Sequence, residues 1–179
     1  MLAFEAANPL WGIITNPSDP SRHPGGSSGG EAALISSDGS PLGIGSDIGG
    51  SLRIPAHFSG CFGLKPCIGR FSTNGTVSPS PGFRGISSTM GPMGRSVDDL
   101  EIATRLHCNA SVDLAKLEGL IPLPYRDVTL PKKLKFGYYR TDGFCRASPA
   151  CERAVMETVE ALRKKGHECV EFEPLDRKS

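Results

Sequence analysis

The sequence predicts an α/β fold, because two strand-like segments near its carboxyl end flank a segment with helical periodicity. The predicted strands are residues 133–140 (KLKFGYYR) and 167–173 (HECVEFE). Between them, Ser148 and Pro149 are typical of a helix start and Gly166 of a helix end. The buried positions of this helix recur at i, i+4 and i+7: Val155, Val159 and Leu162. Strand, helix and strand in this order predict a parallel pair with a right-handed crossover.

The first half of the chain is rich in glycine and proline, which concentrate before residue 95 and predict mostly loops and tight turns. Residues 5–26 are predicted to be extended and turn-rich. Residues 31–36 (EAALIS) are predicted to form a short helix that starts beside the serines of the preceding turn. Residues 69–92 have no apolar periodicity and are predicted to be a surface loop.

Helix signals return at Ser96, which forms a predicted capping box with Asp99 at the third helical position. The apolar positions that follow recur at helical spacing: Leu100, Ala103 and Leu106. Residues 109–132 are predicted to be a connection to the strand–helix–strand region.

The composition excludes several classes of function. Twenty basic and nineteen acidic residues nearly cancel and are dispersed, so no basic surface for nucleic acid is predicted. No apolar run approaches the roughly 18 residues that a membrane-spanning helix needs, and the amino terminus lacks the basic region of a secretory signal. Six scattered cysteines without metal-ligand spacing predict reduced, structural thiols and no metal site.

Two glycine-flanked serines stand 24 residues apart in the first half of the chain. Ser27 lies in PGGSSGGE (24–31), and Ser51 lies in GIGSDIGGSLRIPA (43–56). A hydroxyl nucleophile needs backbone N–H groups directed at a developing oxyanion, and glycine lets the backbone approach that closely. Such turns also form simple anion-binding nests. Ser27 and Ser51 are therefore the candidate catalytic residues.

Two other motifs overlap these loops. GIGSDIG (43–49) fits a relaxed dinucleotide-binding pattern, but turn residues precede it and Pro55 follows it closely. GGSSG (25–29) fits the nucleophile elbow of α/β-hydrolases, but no apolar strand precedes it. The histidines that could complete such a triad, His107 and His167, lie on or beside predicted regular elements.

The longer pattern resembles the amidase signature family. PGGSSGGE, GSDIGGSLRIPA, GLKP and GPMGRSVDDL occur in the order and spacing of that family, over nearly the whole chain. The resemblance implies part of a fold with a mixed central sheet flanked by helices on both faces. Residues 1–179 are then expected to be the central portion of a single domain, incomplete at both ends. NPLWG (8–12), Glu31 and Ile48 make the chain most similar to the fatty acid amide hydrolase branch.

The resemblance implies amide hydrolysis by a Ser-Ser-Lys mechanism. Ser51 would attack the amide carbonyl, and Ser27 would relay the proton between Ser51, a lysine base and the leaving amine. The resemblance also implies a cis peptide bond before Ser27, which Gly26 suits sterically, and a lysine-orienting role for Ser28. The oxyanion hole would be formed by the backbone N–H groups of Ile48, Gly49, Gly50 and Ser51. Asp47 and Arg53 would buttress this loop, or else form an ordinary surface ion pair.

The base is the one part of this mechanism that the chain does not supply. In the family the catalytic lysine belongs to a segment upstream of the first serine motif, and here no lysine precedes Lys65. The resemblance assigns Lys65 to packing or loop anchoring and not to the base. We therefore expect the lysine to lie outside this chain and the chain alone to be inactive. The alternative is a catalytically dead truncated product.

The expected substrate is a small-molecule lipid amide, because in the fatty acid branch Met1 and Leu2 would line the acyl channel. A general small-amide amidase or an amidotransferase subunit is the alternative. No cofactor and no nucleic acid partner are expected. An intracellular location, cytoplasmic or endomembrane-associated, is expected, with any membrane contact made by segments outside this chain. The oligomeric state is left open.

Overall fold

The computed structural model describes residues 4–77, 85–109, 112–117, 119–120 and 122–174, and of residues 112–114 only the backbone. The chain divides into two compact units, Met1–Arg126 and Asp127–Ser179. Each unit contains helices and strands, so the mixed α/β class predicted from the sequence is confirmed.

The first unit contains a small hairpin, a three-stranded sheet and four helices among its described residues. In chain order they are β1 (Ala7–Asn8), β2 (Gly12–Ile13), α1 (Gly29–Ser36), β3 (Leu42–Asp47), α2 (Arg53–Ser59), β4 (Phe62–Gly63), β5 (Thr89–Gly94), α3 (Val97–Cys108) and α4 (Val112–Leu117). β1 pairs antiparallel with β2. β5 is the middle strand of the order β3–β5–β4 and pairs antiparallel with both neighbours. The first half of the chain is therefore more regular than its glycine content predicts.

The prediction of a surface loop over residues 69–92 is wrong at its end, where the central strand β5 begins at Thr89. Gly91 and Pro92 are typical of loops, yet both lie in β5. A Cβ at Gly91 would clash with the carbonyl oxygen of Leu64, so glycine here serves close backbone approach. The Pro92 carbonyl accepts from the Leu64 amide at 3.0 Å, which keeps the strand paired although proline lacks a donor.

Strand β3 and helix α2 also contain glycine or proline at regular positions, so the sequence pattern does not predict them. The inward positions of β3 are Gly43, Gly45 and Asp47, because α1 packs directly on its backbone. A Cβ at Gly43 would clash with the Glu31 side chain. Pro55 lies in the first turn of α2, where a missing N–H costs nothing.

The core of the first unit lies where α1, α2 and β5 meet. Its buried residues come from all three elements and the turn before α2: Ala32, Ile35, Leu52, Ala56 and Met93. This packing fixes the ends of α1 and α2 against the sheet. The loops that carry the two candidate serines are therefore anchored at both sides.

Helix α3 confirms the predicted capping box. Asp99 donates its amide to the Ser96 hydroxyl at 3.1 Å, and the Asp99 carboxylate accepts the Ser96 amide at 2.8 Å. Leu100 is buried but Leu106 is 71% exposed, so only the first half of the predicted stripe is covered. The short helix α4 interrupts the predicted connection 109–132, where its six residues are too few for a recognisable period.

The second unit is the predicted strand–helix–strand region. It contains β6 (Lys135–Tyr138), α5 (Pro149–Lys164) and β7 (Glu168–Glu171), and β6 pairs parallel with β7. The Ser148 hydroxyl caps α5 by accepting the Cys151 amide at 3.3 Å, and Gly166 follows the helix with φ of +87°. Among the described residues, no helix has both the length and the apolarity to cross a membrane.

Candidate active site

Ser27 and Ser51 lie in two loops that the fold brings side by side. Ser27 stands just before α1, and Ser51 stands in the turn between β3 and α2. The Ser28 amide donates to the Ser51 carbonyl oxygen at 3.0 Å and joins the two loops directly. Ser51 is largely buried at 9% exposure. The fold therefore places the two candidate serines in adjacent loops.

The Ser28 side chain forms hydrogen bonds with β3 and none with the helix that it begins. Ser28 occupies the N-cap position of α1, yet its side chain makes no cap hydrogen bond. Its hydroxyl accepts instead from the Ser46 amide at 3.1 Å and donates to the Ser46 carbonyl at 3.4 Å. An unused serine cap is unusual, because capping contributes about 1 kcal/mol to helix stability. The hydroxyl is thus committed to tying the first serine loop to β3.

The turn before Ser27 has room only for glycine. The Gly26–Ser27 peptide bond is cis, as the resemblance implies. A Cβ at Gly26 would clash with the backbone of Glu5, and one at Gly25 would lie 2.9 Å from the Pro55 Cα. Gly25 also has φ of +86°, a left-handed conformation that favours glycine. Both glycines are therefore needed to place Ser27 between the Glu5 segment and α2.

Asp47 organises the turn that carries Ser51. Its buried carboxylate accepts the Gly50 amide at 2.7 Å and the Leu52 and Arg53 amides at 3.3 Å. The Arg53 guanidinium adds two bonds, from Nε to Oδ2 at 2.9 Å and from Nη2 to Oδ1 at 3.0 Å. Burial raises the pKa of Asp47, but the hydrogen bonds from Arg53 and the backbone amides outweigh it and hold that pKa below its ordinary value. The pair is thus a built part of the turn.

The predicted oxyanion donors are not equivalent in the structure. The Gly50 amide is taken by Asp47. Within the described part of the chain, the amides of Ile48, Gly49 and Ser51 donate to no assigned acceptor. A Cβ at Gly49 would meet nothing within 4 Å. The turn therefore presents an open side near Gly49 and an occupied side at Gly50.

A cavity of about 470 Å³ opens beside the first serine loop. Its lining combines hydroxyls, two carboxylates and apolar side chains, among them Ser27, Ser28, Ser46, Glu5, Glu31 and Ile44. Ser51 does not line it, so the cavity borders the loop of Ser27. Glu5 lies outside both glycine-rich motifs, and Ser46 lies within the second one without having been selected as a site residue.

Lys65, His57 and His23 are the side chains of the first unit that we considered as the base. Lys65 donates its Nζ to the Pro66 carbonyl at 3.1 Å, which agrees with an anchoring role. His57 is exposed on α2. Both ring nitrogens of His23 face backbone amides, at 2.8 Å from Ala6 and 3.0 Å from Gly25. The predicted substrate contacts Met1 and Leu2 lie outside the described residues.

The two alternative motifs lack the structure that they require. GGSSG follows turns and no strand, so it is not a nucleophile elbow. His107 stacks on Phe71 with ring centroids 3.9 Å apart, and His167 lies in the second unit, where its Nδ1 accepts the Leu134 amide at 3.3 Å. GIGSDIG lies largely within β3, which is antiparallel to β5; it does not form the strand-to-helix turn of a dinucleotide site.

Comparison with known proteins identifies the family and several relatives of this chain. A family model described as Amidase matches residues 1–179. The chain is 41% identical to fatty-acid amide hydrolase 1 of Sus scrofa, over 97% of this chain and 30% of that protein. It is 40% identical to Amidase 1 of Gibberella moniliformis, over 94% of this chain and 33% of that protein. A solved structure of fatty acid amide hydrolase superposes with a TM-score of 0.85 and 38% identity, over 98% of this chain and 31% of that one.

The chain belongs to the amidase family. It spans about a third of the length of the curated relatives that it matches.

Proposed function

We propose that this chain carries the serine pair of an amide hydrolase, with Ser51 as nucleophile and Ser27 as proton relay. The observation that supports it most is the direct bond between the two loops, from the Ser28 amide to the Ser51 carbonyl at 3.0 Å. A serine at the end of an anchored glycine turn and a second serine beside it are the parts that a relayed nucleophile requires. The family membership of the chain supports the same reaction.

The proposed reaction breaks the carbon–nitrogen bond of an amide in two stages. The Ser51 oxygen attacks the carbonyl carbon while its proton passes through the Ser27 hydroxyl to the leaving nitrogen, and the amine departs. Water then attacks the acyl–Ser51 ester, gives its proton back along the same path and releases the carboxylic acid. Within each stage, the base that takes the proton and then returns it to the leaving nitrogen or to Ser51 is a lysine outside these residues, reaching Ser27 through the cavity beside it.

The oxyanion would be stabilised by the amides of Ile48, Gly49 and Ser51. The Gly50 amide is proposed to act mainly on Asp47, because it already donates there at 2.7 Å. Removing one such donor typically costs about 3 kcal/mol of transition-state stabilisation. The Asp47–Arg53 pair holds these donors in place before substrate arrives, which is the advantage of a preorganised site.

The proposed substrate is a long-chain fatty acid amide, as the name of the 41% identical relative suggests. Exposed apolar side chains in the lining of the cavity fit this: Ile14 and Ile44. A small-amide amidase is the second candidate, because a relative named only as an amidase, Amidase 1 of Gibberella moniliformis, is similar to nearly the same degree. The proposed location is intracellular, and any membrane contact is made by segments outside these residues.

The test is covalent labelling of the complete protein with a fluorophosphonate probe, followed by peptide mapping. We expect one adduct, on Ser51, and none after Ser51→Ala substitution. Ser59→Ala is a matched control, since Ser59 is buried nearby but its hydroxyl donates to the Pro24 carbonyl at 3.2 Å. An adduct on Ser27, or no serine adduct, would contradict the proposal.

A further inference from the structure

His23 lies between two backbone amides that flank the candidate site. The Ala6 amide donates to its Nε2 at 2.8 Å across 17 residues of sequence. The Gly25 amide lies 3.0 Å from its Nδ1. The ring thus bridges the segment before β1 and the turn that leads into Ser27.

The chemistry of imidazole restricts what this bridge can do. A neutral ring has one nitrogen that accepts and one that carries a proton, and a protonated ring has no acceptor. Neutral His23 therefore accepts from one of the two amides at a time, and the imidazolium accepts from neither. The shorter, long-range contact with Ala6 favours the tautomer with the proton on Nδ1.

The contact with Ala6 reaches Ser27 through packing. The Glu5 backbone lies against Gly26 so closely that a Cβ there would clash with it. Holding Ala6 therefore holds Glu5, and Glu5 confines the residue before Ser27. Glu5, Ala6 and Ser27 also line the same cavity.

We propose that neutral His23 is a positioning residue for Ser27, acting by accepting the Ala6 amide and so fixing the Glu5–Ala6 segment against Gly26. This rests on the proposed role of Ser27 as the relay. His23 moves no proton in the reaction. Its contribution is lost when the ring is protonated, because an imidazolium repels the amide that it faces.

Several charged or titratable groups lie on the elements around His23. Glu5 stands beside Ala6. Asp19 and Arg22 form an ion pair at 2.9 Å on the preceding turn. Helix α2, which packs on Gly25 through Pro55, carries Arg53 and His57. Among these side chains only His57 is a second imidazole, so His57→Gln is the matched control.

Three substitutions separate the two contacts. The Gln Oε1 stands near the position of Nε2 and can accept from Ala6, whereas the Asn Oδ1 stands near Nδ1 and can accept only from Gly25. His23→Ala removes both acceptors. We expect His23→Gln to preserve the site, and His23→Asn and His23→Ala to loosen it. If His23→Ala fails to fold, the comparison of Gln with Asn still tests the proposal.

The first measurement is amide hydrogen exchange by NMR on the ¹⁵N-labelled 179-residue chain, with the ring nitrogen shifts read in parallel. We expect the protection factor of the Ala6 amide to fall roughly fivefold to tenfold in His23→Asn and His23→Ala and to be retained in His23→Gln, as the loss of one hydrogen bond predicts. In the wild type this protection should fall as the ring shifts report protonation. In His23→Gln it should persist at the same pH.

The second measurement is the rate of fluorophosphonate labelling of the complete protein. It should fall with the Ala6 protection in His23→Asn and recover in His23→Gln, while His57→Gln behaves as wild type. Unchanged Ala6 protection in His23→Asn, or equal labelling by the Gln and Asn variants, would overturn the positioning role. Expected exchange data with no labelling of the wild type would instead overturn the proposed function, and with it the link to Ser27.

Discussion

Asp47 and Arg53 form a two-point ion pair across the turn that carries Ser51, with Nε–Oδ2 at 2.9 Å and Nη2–Oδ1 at 3.0 Å. The Asp47 side chain is fully buried, whereas the Arg53 side chain is 54% exposed. The same carboxylate accepts the Gly50 amide. The pair therefore shapes the backbone on which the proposed nucleophile depends, and its two members differ in what their loss would cost.

Replacing Asp47 should destabilise the protein more than replacing Arg53. Asp47→Asn puts an amide NH₂ among donors that need acceptors, and we expect a loss of about 3 kcal/mol in the free energy of unfolding. Arg53→Met leaves Asp47 with its backbone donors and removes a half-exposed partner, so we expect about 1 kcal/mol. Urea denaturation at neutral pH measures both. Equal losses would contradict the central role of the carboxylate.

The contribution of Asp47 should depend on pH in a defined direction. Its pKa is lowered in the folded protein from an ordinary value of 3.8, so the folded state binds the proton less readily than the unfolded state. The stabilisation is then complete above that ordinary value and is lost as pH falls through the lower, folded pKa. The stability difference between wild type and Asp47→Asn should hold down to about pH 5 and shrink below it. A difference that stayed constant into strong acid would refute this.

The glycines of the two loops should differ sharply in their tolerance of a methyl group. Gly26→Ala forces a Cβ into the Glu5 backbone, and we expect it to cost about 3 kcal/mol, at the upper end of overpacking. Gly49→Ala meets open space and should change stability by less than about 0.5 kcal/mol. Thermal unfolding of the two variants makes the comparison. Similar melting temperatures would show that the loop before Ser27 adapts.

The serine loops could be predicted from the sequence because their glycines and serines stand in one long, specific pattern. The strand–helix–strand region could be predicted from ordinary periodicity. The sheet beside the site could not, since Gly43, Gly45 and Gly91 occupy strand positions where a larger side chain would strike a neighbouring element. Glycine at these positions is required by close packing. In the sequence alone it is typical of a loop, because the neighbouring element is not known.

The site also contains contacts that no local pattern indicates. Ser28 bonds to Ser46 and not to its own helix, and His23 bonds to Ala6. Both contacts join residues 17 or 18 positions apart. They depend on the tertiary arrangement of the loops, so they appear only when the chain is folded. The occupied Gly50 amide is a third case, because the motif alone makes all four turn amides look alike.

Substitution of the two serines should separate nucleophile from relay. Ser51→Ala removes the attacking oxygen and should abolish amide turnover by the complete protein. Ser27→Ala leaves the nucleophile but interrupts proton transfer, and we expect a loss of roughly 10²–10⁴-fold in kcat. Hydrolysis of a chromogenic amide gives both values. A Ser27→Ala enzyme with wild-type kcat would remove Ser27 from the mechanism.

Substrate preference distinguishes the two candidate functions. We expect the complete protein to hydrolyse oleamide with a higher kcat/KM than acetamide, because each buried methylene adds about 0.8 kcal/mol of binding. Ammonia release under matched conditions measures both. The acetamide value serves as its own control for an intact catalytic centre. Equal or reversed values would favour the small-amide amidase.

The 179-residue chain expressed by itself should turn over no amide. Neither serine is an appreciable base near neutral pH, so the relay from Ser51 through Ser27 must end in a group that can hold a proton. No lysine precedes Lys65 in the sequence, and the Lys65 Nζ donates to the Pro66 carbonyl.

The histidines are poor substitutes for that base. Both nitrogens of His23 face backbone amides, and a base must come within about 3 Å of the proton that it takes, directly or through one water. His57 is exposed on α2.

The decisive assay compares probe labelling and amide turnover of this chain with those of the complete protein at equal concentrations, after circular dichroism has verified that both are folded. If the chain alone is active and His57→Gln abolishes that activity, the base is a histidine and the lysine relay is wrong. If activity survives His57→Gln and His23→Gln but not Lys65→Met, the base is Lys65. The proposal that a lysine from outside these residues enters the cavity beside Ser27 is then wrong.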